Sequence, residues 1–160
     1  MKWLSVNNNS SKEQFELWED EKMLADISFS KQTRFVRIVS NLGKRMFSFE
    51  KKGFLKRSKV IKNEYGIKLG RVEEKSRTGT GIVELEGKKY PFIYDQDNTG
   101  DLNLYDEGMQ KNLLSCNFKA ITNKINTTNS LLDTRFASLL LLLCWYTFQP
   151  HNSAVTKGIM

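Results

Sequence analysis

From residue 15 to residue 118 the chain alternates apolar and polar residues in short runs, each closed by Gly, Asn, Asp or a lysine pair. Phe15 to Trp18 and Met23 to Phe29 flank the polar Glu19-Asp-Glu-Lys22, which predicts a hairpin. Arg34 to Val39 is rich in β-branched residues and predicts a strand. Asn41-Leu-Gly43 is a turn, and Arg45 to Glu50 alternates as a strand closed by Lys51-Lys-Gly53. Phe54 to Ile61 continues extended with weaker alternation, and Tyr65-Gly66 turns the chain into Ile67 to Val72. In Ile82 to Glu86, Val83 and Leu85 share one face while Glu84 and Glu86 share the other, as a side-chain period of two requires. Tyr90, Phe92 and Tyr94 line one face of the next strand, whose Pro91 is expected at an edge or a bulge. Leu102 to Tyr105, Asn112 to Phe118 and Ala120 to Ile125 complete the series. Residues 1–14 combine Trp3 and Leu4, enough to begin a short strand, with the polar run Asn7 to Ser11. Regular spacing of this kind predicts about 10–12 short antiparallel strands in a barrel or sandwich.

The pattern changes at Ser130. From there to Phe148 the residues read as one helix, and Leu139 to Tyr146 has no polar break. A run longer than two helical turns with apolar side chains on every side is buried all round, in a protein core or in lipid. Ser130 with Asp133 resembles a capping box, Pro150 ends the helix and residues 149–160 form a tail. The fully apolar part, residues 136–148, falls short of the roughly 20 residues of a bilayer span. Asp133 and Arg135 also fall inside any window of that length ending at Phe148. The sequence thus predicts a mainly β fold. Residues 15–148 form a single closed antiparallel β-barrel, with a central hydrophobic helix at about residues 130–148 inside it. A short membrane tail anchor is the alternative reading of the same helix.

A length of 160 residues fits one domain, with enough chain to bury a core without disulfides or metal. Cys116 and Cys144 are the two cysteines, and a thiol inside the apolar run suits a reducing cytoplasm. The apolar stretch at the N-terminus is too short for a secretory signal. The net charge is +7, and it is segregated: residues 31–90 hold 17 Lys or Arg against 6 Asp or Glu, while both flanks are slightly acidic. The densest part comprises Lys44, Arg45, Lys51, Lys52, Lys56, Arg57, Lys59 and Lys62. Clustered cations draw anionic lipid or nucleic acid. No stacking-aromatic pattern or nucleic-acid motif accompanies them, which disfavours the second. A solvated outer face would look the same in sequence.

Asp95-Gln-Asp-Asn-Thr-Gly-Asp-Leu-Asn-Leu-Tyr-Asp106 places oxygens at loop positions 1, 3, 5, 9 and 12, with Gly100 at position 6. Calcium takes six to eight hard oxygens, and the glycine permits the sharp turn. Asp95, Asp97, Thr99, Asp101 and Asp106 are therefore candidate ligands of a weak calcium site. An ordinary polar β-turn accounts for the same residues. No other cofactor is expected. His151, in the tail, is the one histidine, which disfavours a His-dependent triad or a His-rich metal site. No phosphate-binding glycine motif occurs, and Glu73 and Glu74 would point to opposite faces of a strand. A non-enzyme is expected.

Phe49-Glu-Lys-Lys-Gly-Phe54, Ile61-Lys-Asn-Glu-Tyr-Gly66, Leu69-Gly-Arg-Val72, Gly87-Lys-Lys-Tyr90 and Leu104-Tyr-Asp106, followed by one C-terminal apolar helix, resemble the tubby C-terminal-like superfamily. That group includes tubby domains, phospholipid scramblases and the LURP-one-related proteins, and Asn63 stands where its turn usually has Asp. The resemblance covers about residues 15 to 148. It implies a closed barrel wrapped around the helix, and phosphoinositide binding through Lys and Arg on one barrel face. The Asp95–Asp106 stretch is similar to an acidic scramblase segment proposed to bind calcium. Asp95, Asp97, Asn98, Gly100 and Asp106 match it, although some 24 residues separate it here from the helix. The expected function is a non-catalytic binding module, cytoplasmic or peripheral at an anionic phospholipid surface. Two alternatives fit the same residues: a protein-interaction scaffold without a lipid ligand, and a scramblase-like protein whose helix enters lipid. A calycin-like barrel is disfavoured, because an all-apolar helix would fill the interior that a ligand needs.

Overall fold

The computed structural model describes residues 2–53, 58–75, 79–117 and 125–127. These form twelve strands: β1 (Lys2–Asn8), β2 (Lys12–Glu19), β3 (Lys22–Ser30), β4 (Phe35–Ser40), β5 (Gly43–Lys52), β6 (Ser58–Asn63), β7 (Lys68–Glu74), β8 (Thr80–Leu85), β9 (Lys88–Tyr94), β10 (Asp101–Tyr105), β11 (Asn112–Asn117) and β12 (Ile125–Thr127). They pair in chain order as one antiparallel sheet, each strand beside its sequence neighbours. The chain divides after Thr127, and the sheet belongs to the unit formed by residues 1–127.

This order corrects the expected closed barrel. The sheet is an open meander in which β1 pairs only with β2, and β12 only with β11. Closure needs a ladder between the first and last strands, at a stagger compatible with strand tilt. Alternation along each strand does not encode that ladder, and β12 is only three residues long. No helix occurs among the described residues. The helix expected at residues 130–148 lies outside them. Residues 1–14 hold a regular seven-residue strand paired along its length with β2, apart from a register shift between Ser5 and Asn7. The strand expected at residues 120–125 lies mostly outside the described residues, whereas β12 runs two residues past it, through Asn126 and Thr127.

The period-two pattern sorts the side chains onto two faces. The register aligns Phe15, Ile27 and Ile38, then Phe29, Val36 and Phe47, then Phe49 and Ile61 on one face. That face continues through Val72, Val83 and Tyr90, and through Phe92, Leu104 and Leu114. It is the core: Val36, Ile61, Val83, Leu85, Leu102 and Leu104 are fully buried. A register shift at Leu104/Tyr105 sets two residues of β11 against one, and both Leu113 and Leu114 are buried there. Such a bulge lets consecutive side chains share a face that strict alternation would divide.

Two glycines on the core face have physical reasons. A methyl group at Gly70 would strike the Glu84 carbonyl oxygen, and one at Gly81 would strike the Glu73 carbonyl and the Phe92 ring. Adjacent backbones approach closely at these points, as glycine in a strand interior allows. Pro91 sits in β9, which has a neighbour on each side. The Tyr94 N–H donates to the Gly79 carbonyl on the β8 side at 2.7 Å. By alternation the imide nitrogen of Pro91 faces β10, beyond the last β9–β10 pair, Phe92 with Leu104. The proline therefore occupies a local edge inside an otherwise central strand.

Candidate functional site

The acidic stretch folds as two turns. Asp95 opens the β9–β10 turn. Its Oδ1 accepts from the Asn98 N–H at 3.3 Å and Asn98 Nδ2 at 3.1 Å. Its Oδ2 accepts from the Thr99 N–H at 3.3 Å and Thr99 Oγ1 at 3.2 Å. The Gly100 N–H closes the turn on the Asp95 carbonyl at 2.6 Å. Desolvation opposes ionisation of the Asp95 carboxyl, but the hydrogen bonds from Thr99 and Asn98 outweigh it and hold the group below its ordinary value of 3.8. Asp97 lies exposed in the turn. The Asp101 N–H donates to Thr99 Oγ1 at 3.2 Å, and the Asp101 carboxylate accepts from Asn117 Nδ2 at 2.6 Å.

Asp106 lies past the other end of β10, where its Oδ1 accepts from the N–H groups of Gln110 at 2.7 Å and Lys111 at 3.0 Å. The strand between the two turns spans roughly 17 Å at about 3.4 Å per residue. The structure thus brings Asp95, Thr99 and Asp101 into one turn and places Asp106 in another. Among the described residues no three His, Cys, Asp or Glu side chains gather as a metal ion would need. Asn63 opens the β6–β7 turn in the same manner, its Oδ1 accepting from the N–H groups of Tyr65 at 3.0 Å and Ile67 at 2.9 Å. Asn and Asp at these positions supply an acceptor that substitutes for a ladder partner. Asp95→Ala removes four such bonds and is expected to lower the urea midpoint by about 0.5 M at unchanged slope.

The basic candidates divide between the two faces of the sheet. Lys44, Lys52 and Lys62 share the outer face with Glu50, while Arg45, Lys51 and Lys59 share the core face with Phe47 and Ile61. Lys56 and Arg57 lie outside the described residues. On the outer face Glu50 takes both Lys52, at 2.7 Å, and Lys62, at 2.6 Å. Hydrogen bonds from Lys52 and then Lys62 hold the Glu50 carboxyl down at about 2. Arg71 Nε donates to Glu84 at 2.9 Å, and its guanidinium also lies 3.7 Å from Glu73. Opposite charges in cross-strand register stabilise such a face modestly.

The Glu50 pair gives a pH expectation with a definite sign. Its carboxyl is lower when folded than its ordinary 4.5. The stabilisation is therefore complete above about pH 4.5 and is lost as pH falls toward about 2. Wild type is expected to lose urea resistance across that window more steeply than Glu50→Gln. The difference shrinks in high salt, because the pair is open to solvent.

On the core face Lys51 stands directly opposite Lys59, with Glu74 one diagonal step from Lys59. Burial lowers the Lys59 ammonium below its ordinary 10.5, Glu74 counters that, and Lys51 adds to it. Alternation from Phe47 and Phe49 could have placed Lys51 on this face from the sequence alone. Burial pushes the Cys116 thiol up to about 12, which leaves it protonated at neutral pH. Three exposed apolar residues in turns, Leu42, Tyr65 and Ile67, carry no period-two signal in the sequence, because each stands beside a glycine in its turn.

No family model matches the chain, and neither a curated protein nor a solved structure matches it. No helix among the described residues is long and apolar enough to cross a membrane.

Proposed function

We propose that this chain is a non-catalytic binding module for anionic phospholipid surfaces. One observation carries the reading. Carboxylates take up Lys52, Lys62 and Arg71, whereas Lys44, Arg45 and Lys68 stand exposed with no ion pair among the described residues. Cations left without carboxylate partners attract an anionic surface at roughly 1 kcal/mol each near the headgroups. The reading needs neither a closed barrel nor a calcium ion.

Vesicle co-sedimentation tests it. The protein is expected to pellet with vesicles containing phosphatidylserine at low salt, to be released as salt rises, and to leave neutral phosphatidylcholine vesicles unbound. Equal pelleting with both compositions would overturn the anionic-surface reading, and pelleting with neither would favour an interaction scaffold whose charge serves solubility.

A further inference from the structure

In an antiparallel meander successive turns alternate between two ends of the sheet. The β2–β3, β4–β5, β6–β7, β8–β9 and β10–β11 turns therefore share one end. Among the described residues, that end carries most of the exposed large apolar side chains: Leu42 (59%), Tyr65 (81%) and Ile67 (60%), with Met23 and Met109 to either side. Leu42 is in the β4–β5 turn, while Tyr65 and Ile67 are in the β6–β7 turn. The two turns are two strand spacings apart, about 10 Å. The last β5–β6 pair is Phe47 with Asn63, so the β4–β5 hairpin runs four residues further, roughly 13 Å. Lys44, Arg45 and Lys68 flank these apolar tips, all exposed and none ion-paired among the described residues. Glu64 is the only carboxylate within the two turns, and Asp20 and Glu21 in the β2–β3 turn bound the patch on one side.

We infer that this end of the sheet is the membrane-docking edge: Leu42, Tyr65 and Ile67 enter the interfacial region of an anionic bilayer, and Lys44, Arg45 and Lys68 contact its headgroups. The inference rests on the lipid-surface reading above and says which part of the protein performs it. Exposed leucine and isoleucine gain by leaving water, and tyrosine suits an interface because its ring is apolar and its hydroxyl is wet. Long cationic side chains keep their charge at headgroup level while their stems cover apolar surface. Charge complementarity selects lipid over a second copy of this chain, whose matching edge would bring Lys44, Arg45 and Lys68 against their own like charges. The edge also excludes the other end of β5. Lys51 lies nine residues from Leu42, about 30 Å along an extended strand and several Debye lengths away at physiological salt.

Three variants of the full chain test this, each checked for native circular dichroism. All are compared with wild type on phosphatidylserine and phosphatidylcholine vesicles. Leu42→Ser/Tyr65→Ser/Ile67→Ser and Lys44→Glu/Arg45→Glu are each expected to lower the partition coefficient on anionic vesicles by about tenfold or more. Lys51→Glu/Lys52→Glu, with the same change in net charge, is expected to stay within about twofold of wild type. If wild type itself shows no preference for anionic vesicles, the lipid-surface reading falls and this inference with it. If wild type shows the preference but the triple serine variant binds equally well, the docking edge is wrong while the lipid-surface reading stands. The docking edge is equally overturned if Lys51→Glu/Lys52→Glu loses as much as Lys44→Glu/Arg45→Glu.

Discussion

Phe92→Ala is expected to lower the unfolding free energy by about 4 kcal/mol, the largest loss from any single truncation in the sheet. Phe92 is the largest of the fully buried side chains, at 2% exposure. Its register partners are Gly81 on β8 and Leu104 on β10. Truncation removes the transfer energy of the ring and leaves a cavity against Gly81, which has no side chain to fill it. Urea unfolding followed by tryptophan fluorescence and by circular dichroism would measure the loss. A change under about 1 kcal/mol would mean that the ring is not part of a packed core.

Gly81→Ala comes next, at about 3 kcal/mol. The added methyl meets two obstacles of different kinds, the Phe92 ring and the Glu73 carbonyl oxygen. A ring can rotate or be shortened, whereas a backbone carbonyl moves only with its strand. Glu73 pairs with Ile82 and Glu74 with Gly81, so shifting that carbonyl disturbs the β7–β8 ladder itself. The double variant Gly81→Ala/Phe92→Leu separates the two obstacles. Leucine relieves the clash with the ring and not the clash with the backbone, so the double variant is expected to remain well below wild type. The two changes are also expected to be non-additive, since the sites touch. Full recovery in the double variant would assign the whole cost to the ring.

Most of the strands were legible because they rest on local rules. Val83 and Leu85 against Glu84 state a period of two, and β8 obeys it as far as Leu85; Glu86, expected on the face of Glu84, already belongs to the following turn with φ 50°. Phe15–Trp18 and Met23–Phe29 around Glu19–Lys22 became β2, its turn and β3. Pro91 was legible only in part. It was expected at an edge or a bulge, and it sits at an edge that exists only because β9 and β10 stop pairing at Phe92. The candidate sites were less legible. Lys44, Arg45, Lys51, Lys52, Lys59 and Lys62 form one cluster in sequence, but adjacent strand residues point to opposite faces. Glu50 then takes Lys52 and Lys62 across the β5–β6 ladder. Asp95 and Asp106 satisfy a loop spacing in sequence, yet β10 runs between them and each carboxylate caps its own turn.

The sequence alone determined which residues are extended, where the chain turns and which side of most strands is apolar. Period-two alternation and the acceptor chemistry of Asn and Asp act within a few residues, so they are legible before any distant partner is known. Only the tertiary structure decided that the sheet stays open, that bulges bring Leu113 beside Leu114, and that the cations divide between two faces. It alone set Leu42 and Tyr65 on neighbouring turns at one end of the sheet. Those outcomes depend on stagger and strand partnership, free-energy terms that arise only when segments far apart in the chain meet.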